Sequence, residues 1–175
     1  MLAYKDGVMK GLKNLAFVGT PCQIHAIRKV QISPLKRYAN PLKFTIGLFC
    51  SESFTYNGLI KEYFQRRLRI DPQEVVKVNI KGGMVITLKS REERIIPLKN
   101  LKRYTWNCKY CQDFSAELAD ISVGGLGLTG WNLTIIRSKV GEDIFRGAEE
   151  AGLVRTKSIE ESISSYRLLI KLSKR

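Results

Sequence analysis

Residues 15–29 read LAFVGTPCQIHAIRK, and this stretch predicts how the fold begins. Its first four residues are an apolar run typical of a buried strand, and Gly19 ends that run. Thr20 can cap a helix, and Pro21 suits the first helical position because its missing N–H would have no partner there. We therefore predict a strand, a tight turn and a helix in immediate succession.

The predicted helix has two distinct faces. Ile24 and Ile27 recur at a three-residue spacing, so we expect both side chains to face the core. Cys22, His25 and Lys29 follow another side of the helix. His25 could relay a proton and Lys29 could stabilise a thiolate or a phosphate, whereas a solvated or structural position is the ordinary role of both types of side chain.

The rest of the chain alternates strand-like and helical patterns. We predict an α/β fold of one domain over residues 1–175, with a sheet flanked by helices and a cysteine-bearing loop. The other predicted elements are a strand at 42–50, a helix at 56–69, a small antiparallel β insertion at about 75–98, a strand at 131–137, a helix at 142–151 and a helical C-terminal tail at about 158–175. The apolar stripe of that last helix consists of Ile159, Ile163, Tyr166 and Ile170.

Composition excludes several classes of protein. The apolar fraction of 44% and the charged fraction of 26% are ordinary globular values, which argues against long disorder and against a fibrous chain. The longest apolar stretches fall far short of the roughly 20 residues that cross a bilayer, so we predict no transmembrane segment. Asp6 and nearby lysines interrupt the window that a secretory signal needs, and we expect a cytoplasmic protein.

The chain is strongly basic, with 30 Lys and Arg against 16 Asp and Glu, a net charge of +14. Nucleic acid, anionic lipid, an anionic cofactor and an acidic partner subunit would all suit this charge, as would the lysine-rich surface of a thermophile. The basic residues are spread through every segment, without zinc-finger spacing or an aromatic RNA-binding signature. We therefore expect no nucleic acid among the partners.

The sequence contains four cysteines: Cys22, Cys50, Cys108 and Cys111. Two of them lie at the ends of strand-like runs, and the other two form one C-x-x-C motif. Because ligands gather at the carboxyl ends of strands in an α/β sheet, the four thiols could meet there. Four thiolates suit tetrahedral zinc or an iron–sulfur cluster, while buried structural thiols are the alternative for the two strand-end cysteines.

The order of motifs is more specific than their spacing. VGTPCQIHAIRK (Val18–Lys29), IGLFCSESFTYNGL (Ile46–Leu59), CKYCQDFSAELADISVGGLG (Cys108–Gly127) and GW (Gly130-Trp131) resemble, in this order, the C-terminal domain of the coenzyme F420 hydrogenase/dehydrogenase beta-subunit family. The resemblance implies an iron–sulfur flavoprotein that passes electrons between a cluster, FAD and a substrate such as F420. It also implies that all four cysteines ligate one 4Fe-4S cluster.

The same resemblance suggests where cofactors touch the protein. We expect contacts from the turn after the first strand and from the glycine-rich segment, at Gly19, Thr20, Pro21, Gln23, Gly124, Gly125, Gly127 and Trp131. Asp113 and Asp120 flank the segment after the C-x-x-C motif, and we assign catalysis to neither of them. We assign no other catalytic residue.

The function implied is the iron–sulfur electron-transfer part of a flavin-dependent, F420-linked oxidoreductase. Family members carry a glycine-rich region ahead of GTPCQ, where this chain has 18 residues. We therefore expect partner subunits, including a separate N-terminal chain that completes the flavin pocket, or else a truncated enzyme without complete activity. The alternative is a non-enzymatic module, stabilised by a metal, that docks partner subunits; bound zinc rather than iron and sulfide would favour it.

Overall fold

The computed structural model describes residues 1–80, 82–105 and 108–174. Lys81 in the predicted glycine turn and Arg175 in the predicted tail lie outside the described residues. The chain forms two compact units, one made of Met1–Ser51 with Cys111–Arg175 and the other made of Glu52–Tyr110. The second unit is therefore inserted in the sequence of the first.

The strands and helices agree with the predicted α/β class, so that prediction is confirmed. The strands are β1 (Leu15–Gly19), β2 (Leu42–Leu48), β3 (Val75–Ile80), β4 (Met84–Leu88), β5 (Glu93–Ile96), β6 (Ile121–Gly124) and β7 (Leu133–Ile136). The α-helices are α1 (Leu2–Met9), α2 (Pro21–Ile32), α3 (Lys36–Ala39), α4 (Lys139–Glu150) and α5 (Ile163–Ser173). A π-helix spans Tyr56–Arg67, and short 3-10 turns include Cys108–Tyr110 and Ile159–Ser162.

The sheet of the first unit has the strand order β1-β2-β6-β7. β1, β2 and β6 are parallel, and β7 pairs antiparallel with β6. The register sets Gly19 opposite Gly47 and Gly47 opposite Ser122. Because neighbouring parallel strands end at the same edge of a sheet, the segments that follow β1 and β2 begin side by side.

The core of the first unit confirms the predicted inner face of α2. Ile24 and Ile27 are fully buried, and they pack with Phe17 of β1 and with side chains of α1. Gly47 in β2 is needed for close packing, because a Cβ there would collide with Ala116 and Ala119. The segment before β6 therefore lies directly on β2.

The second unit contains the predicted antiparallel insertion. Strands β3, β4 and β5 form a sheet in that order, with Ile80 opposite Met84 and Met84 opposite Ile96. The inner face packs against Tyr63 and Phe64 of the π-helix. The unit extends well beyond the predicted insertion at 75–98, because this helix and the 3-10 turns after β5 belong to the same core.

The face of α5 differs from the expected orientation. Ile163, Tyr166 and Ile170 of the apolar stripe are between 38% and 50% exposed. Leu169 is buried instead, in a cluster with Phe114 and Leu133, and Ser162 and Ser165 are buried with it. In the part of the chain that the structure describes, no helix is both long and apolar enough to cross a bilayer.

Candidate functional site

Cys22 lies in the first turn of α2, where the turn after β1 presents it to solvent. Its thiol is exposed, so Cys22 is not the buried structural thiol that was its alternative role. The Thr20 hydroxyl lies 3.3 Å from Cys22 Sγ. The Gln23 side chain reaches back and accepts a hydrogen bond of 3.0 Å from the Thr20 N–H. The capping interactions of the helix thus hold the cysteine in position.

This turn is tightly packed. A Cβ on Gly19 would come within 3.0 Å of both Phe17 and the Gln23 side chain, so glycine is required by the close approach. The Thr20 N–H already has a partner within the protein. A cofactor phosphate bound to that N–H would therefore have to displace the Gln23 side chain.

Cys50 follows β2 at the same edge of the sheet. Its backbone N–H donates to the Phe114 carbonyl at 2.9 Å, and the Phe49 N–H donates to the Val123 carbonyl at the same distance. The rings of Phe49 and Phe114 also contact each other, with their centroids 5.6 Å apart. Cys50 is consequently anchored to the segment that begins at Cys111.

That segment is also anchored to α2. His25 Nε2 lies 3.1 Å from Asp113 Oδ2, and both carboxylate oxygens of Asp113 accept from the Glu117 N–H. The Cys111 thiol lies 3.4 Å from the Asp113 carbonyl oxygen and can donate to it. The three cysteine-bearing segments of the first unit are therefore joined by hydrogen bonds, and His25 has a structural partner that its sequence context did not indicate.

Cys108 belongs to the second unit. The Ser53 N–H donates to Cys108 Sγ at 3.1 Å, and the thiol lies 3.5 Å from the Ser53 carbonyl oxygen. Among the described residues, no three His, Cys, Asp or Glu side chains are grouped so as to hold a metal ion. The use of all four cysteines as ligands of one cluster stays a prediction.

Asp120 is the centre of a buried network that sequence reasoning missed. Its carboxylate accepts from the Thr45 N–H at 2.8 Å and from the Ser138 hydroxyl at 2.6 Å, and it pairs with Arg28 of α2 at 2.9 Å. Arg28 also donates to the Leu118 carbonyl. Because Arg28 and Asp120 are far apart in the sequence, no spacing could have connected them.

The network also determines the charge of Asp120. Burial by itself would raise its pKa, but the hydrogen bonds from Ser138 and Thr45, together with the Arg28 charge, outweigh burial and hold the pKa below its ordinary value. Asp120 is thus an ionised structural residue that connects β2, α2 and the start of α4.

The glycine-rich segment has packing reasons for some of its glycines. A Cβ on Gly124 would collide with the Phe49 ring, so glycine allows the Cys50 segment to approach β6. Gly127 and Gly130 have positive φ angles of 81° and 76°, with open space at the position of a Cβ. Trp131 follows them and carries the Lys157 ammonium 4.7 Å from its ring centroid. Contacts of these residues with a cofactor remain a prediction.

Over residues 12–162 the sequence matches the family described as the C terminus of the beta subunit of coenzyme F420 hydrogenase/dehydrogenase. The coenzyme F420 hydrogenase subunit beta of Methanothermobacter thermautotrophicus is 36% identical over 167 residues, covering 93% of this chain and 59% of that protein. A coenzyme F420-dependent sulfite reductase of Methanocaldococcus jannaschii is 37% identical over 171 residues, covering 90% of this chain and 27% of that protein.

A solved structure shares the fold. A chain of the F420-reducing [NiFe] hydrogenase complex from Methanosarcina barkeri superposes with a TM-score of 0.88 at 34% identity. The match covers 98% of this chain and 60% of that one. The chain thus spans about 60% of the length of the hydrogenase subunits that it resembles.

Proposed function

We propose, since this chain belongs to the coenzyme F420 hydrogenase/dehydrogenase beta-subunit family, that it is the iron–sulfur electron-transfer part of a flavin-dependent, F420-linked oxidoreductase. Cys22, Cys50, Cys108 and Cys111 would hold a 4Fe-4S cluster. Bound there, the cluster would accept and donate single electrons. The chemistry of the donor set fits such a cluster, because all four candidate ligands are thiols.

One observation carries this proposal. Within the first unit, two residues shortly after Cys111 join the cysteine-bearing segments. Asp113 contacts His25 of the Cys22 helix, and the Phe114 carbonyl accepts a hydrogen bond from the Cys50 N–H. Cys108 is only three residues from Cys111, so the backbone limits their Cα separation to about 10 Å. These connections support one shared site for the four candidate ligands.

Hydrogen bonds to sulfur are part of the proposal. The Ser53 N–H lies 3.1 Å from Cys108 Sγ and the Thr20 hydroxyl lies 3.3 Å from Cys22 Sγ. Donors of this kind withdraw charge from a thiolate and raise the reduction potential of a cluster that it ligates. These two groups would then tune the potential through two different ligands.

The proposal also includes FAD and F420, for which it names contact residues but no binding geometry. Gly19, Thr20, Pro21 and Gln23, together with Gly124, Gly125, Gly127 and Trp131, would contribute contacts to FAD. Because this chain spans about 60% of its hydrogenase relatives, we expect full turnover of F420 to need the remaining part of their length, on the same polypeptide or on a partner. The basic surface would favour the anionic cofactors by long-range attraction.

The direct test is anaerobic purification followed by analysis of iron, acid-labile sulfide, zinc and flavin. The proposal predicts a brown protein with about four irons and four sulfides per chain. A colourless protein that holds stoichiometric zinc would instead support a structural module and would overturn the cluster. Adding FAD and reduced F420 to the loaded chain would then measure how much of the flavin site this part supplies.

Single substitutions sharpen that test. Cys108→Ser should lose iron and lower the melting temperature, because a hydroxyl is a much weaker ligand than a thiolate. Tyr110→Phe, within the same C-x-x-C loop, should retain both, because it removes only an exposed hydroxyl. Thr20→Val should lower the reduction potential while Thr20→Ser leaves it near the parent value. Unchanged iron content in Cys108→Ser would contradict the ligand assignment.

A further inference from the structure

A large open groove lies in the first unit, away from the cysteine-bearing segments in the sequence. Its volume is about 820 Å³, within the range of protein binding pockets. β7, α4, the segment 154–159 and α5 form its walls. Its apolar side chains include Trp131, Ile136, Phe145, Val154, Ile159 and Tyr166. Several of these large side chains, Ile136 and Val154 among them, are exposed.

The outward face of α5 continues this apolar surface. Ile159 and Tyr166 line the groove, and Ile163 and Ile170 belong to the same stripe. Within α5 itself, spacings of three and four residues place Ile163, Tyr166 and Ile170 along one side of the helix for about 10 Å. A helix normally turns such a stripe toward a partner, whereas the inward face of α5 carries Ser165, the buried Leu169 and the partly buried Leu172. The exposed stripe of α5 is therefore available for contact with something outside this unit.

The charge of the groove indicates the chemistry of that partner. Arg155 and Lys157 line the groove, and no Asp or Glu is among its described lining residues. No ion pair joins Arg155 to another described residue. Lys157 lies over the Trp131 ring and only 4.0 Å from the Glu161 carboxylate, a weak exposed pair. Arg155 is therefore available to an acidic ligand, and Lys157 would exchange its weak pair with Glu161 for a carboxylate of the ligand.

We infer that this groove is the docking surface for an acidic amphipathic helix of a partner polypeptide. Apolar side chains of that helix would pack on Ile136, Ile159 and Tyr166, and its carboxylates would pair with Arg155 and Lys157. Burial of the apolar stripe supplies affinity, while the two cations favour a partner helix with negatively charged side chains. The inference extends the partner-subunit part of the proposed function by assigning a surface and a chemistry to the partner.

The test uses two synthetic peptides of about 20 residues with the same leucine stripe. One peptide has glutamates beside the stripe, and the other has lysines at the same positions. Binding to the full chain is measured by fluorescence anisotropy at low and high salt. We expect the glutamate peptide to bind about tenfold more tightly at low salt, with the difference falling as salt screens the charges.

Variants locate the binding. Arg155→Glu combined with Lys157→Glu should reverse the preference between the peptides. The double variant Lys10→Glu and Lys13→Glu changes the net charge by the same amount outside the groove lining, so it should keep the parent preference. Tyr166→Ser should weaken the glutamate peptide about tenfold without unfolding the chain, because Tyr166 is 47% exposed.

The outcomes separate this inference from the cluster proposal. Binding is compared between the parent and Cys108→Ser, so loss of iron with unchanged peptide binding would leave the docking surface supported. Equal affinity for both peptides, or a preference that both double variants reverse alike, would overturn the inference. Absence of peptide binding together with a dimer that Tyr166→Ser dissociates would show that a second copy of this chain covers the stripe, and would also overturn it.

Discussion

Helices α2 and α5 both carry apolar side chains at helical spacing, but the protein uses them differently. In α2, Ile24 and Ile27 are fully buried against the sheet. In α5, Ile163 and Tyr166 are about half exposed, and the side chains that pack on an apolar cluster of the core are Leu169 and the partly buried Leu172. Periodicity thus identifies an apolar face of a helix, but it does not tell whether the same unit or another molecule covers that face.

A second difference is how each helix is attached. α2 follows a parallel strand directly and is tied by Arg28 to the buried carboxylate of Asp120. α5 follows the short 3-10 turn Ile159–Ser162, which Ser158 caps through a hydrogen bond from the Glu160 N–H. The polar network gives α2 a second anchor besides its apolar packing. We expect substitutions on α2 to cost more stability than similar substitutions on α5.

The largest effect is expected for Ile24→Ala on the inner face of α2. Removing a fully buried isoleucine leaves a cavity and should lower the free energy of unfolding by about 3.5 kcal/mol. Ile32→Ala, on an exposed side chain of the same helix, should stay within about 0.5 kcal/mol of the parent. Urea denaturation measures both. Similar losses for the two variants would refute the assignment of the inner face.

Leu169→Ala tests the face of α5 that the structure buries. We expect a loss of about 2.5 kcal/mol, because Leu169 packs with Phe114 and Leu133. Ile163→Ala is the matched control on the stripe and should change the free energy of unfolding by less than about 0.5 kcal/mol. If Ile163→Ala were the more destabilising variant, the stripe would face the core after all.

Asp120→Asn should break the polar anchor of α2. The amide cannot supply the negative charge that Arg28 requires, and we expect a loss of about 2 kcal/mol in the free energy of unfolding. Asp143→Asn removes the exposed pair with Lys139 and should cost less than about 0.5 kcal/mol. Denaturation at pH 7 compares the two. Equal effects would mean that the buried network contributes no more than a surface pair.

The contribution of Asp120 should also depend on pH in a defined direction. Its pKa is lower in the folded chain than its ordinary value, so its stabilisation is complete above the unfolded pKa of about 3.9 and is lost as the pH falls through the folded pKa. The stability difference between the parent and Asp120→Asn should therefore be constant from about pH 5 to 7 and shrink in stronger acid. A difference that grows toward low pH would contradict this sign.

The smallest effect is expected for His25→Ala on the outer face of α2. His25 is about half exposed, so losing its hydrogen bond to Asp113 should cost about 0.5 kcal/mol. The substitution should increase local opening of the segment that begins at Cys111 more than global unfolding, because the contact between His25 and Asp113 links α2 to that segment. Hydrogen exchange should quicken for the amides of that segment before the core. Lys29→Ala, one turn further on, serves as the control and should leave this exchange unchanged.

Local patterns determined much of this protein from its sequence. The strand, turn and helix at residues 15–29 are set by an apolar run, a glycine and a proline, whose preferences act within a few residues. The antiparallel strands at 75–96 follow in the same way from short β-rich runs around a glycine turn. The pattern of α2 also set Cys22 apart from the core-facing Ile24 and Ile27, but it left a buried structural thiol open, and the structure decided that Cys22 is exposed.

Other features were decided only by the tertiary structure. The Arg28–Asp120 pair, the contact of His25 with Asp113 and the anchoring of Cys50 to Phe114 join residues that are distant in the sequence. The sheet order β1-β2-β6-β7 brings them together, and no local preference encodes that order. The outward stripe of α5 is the clearest case, because the burial of a helix face depends on what it packs against and not on its periodicity alone.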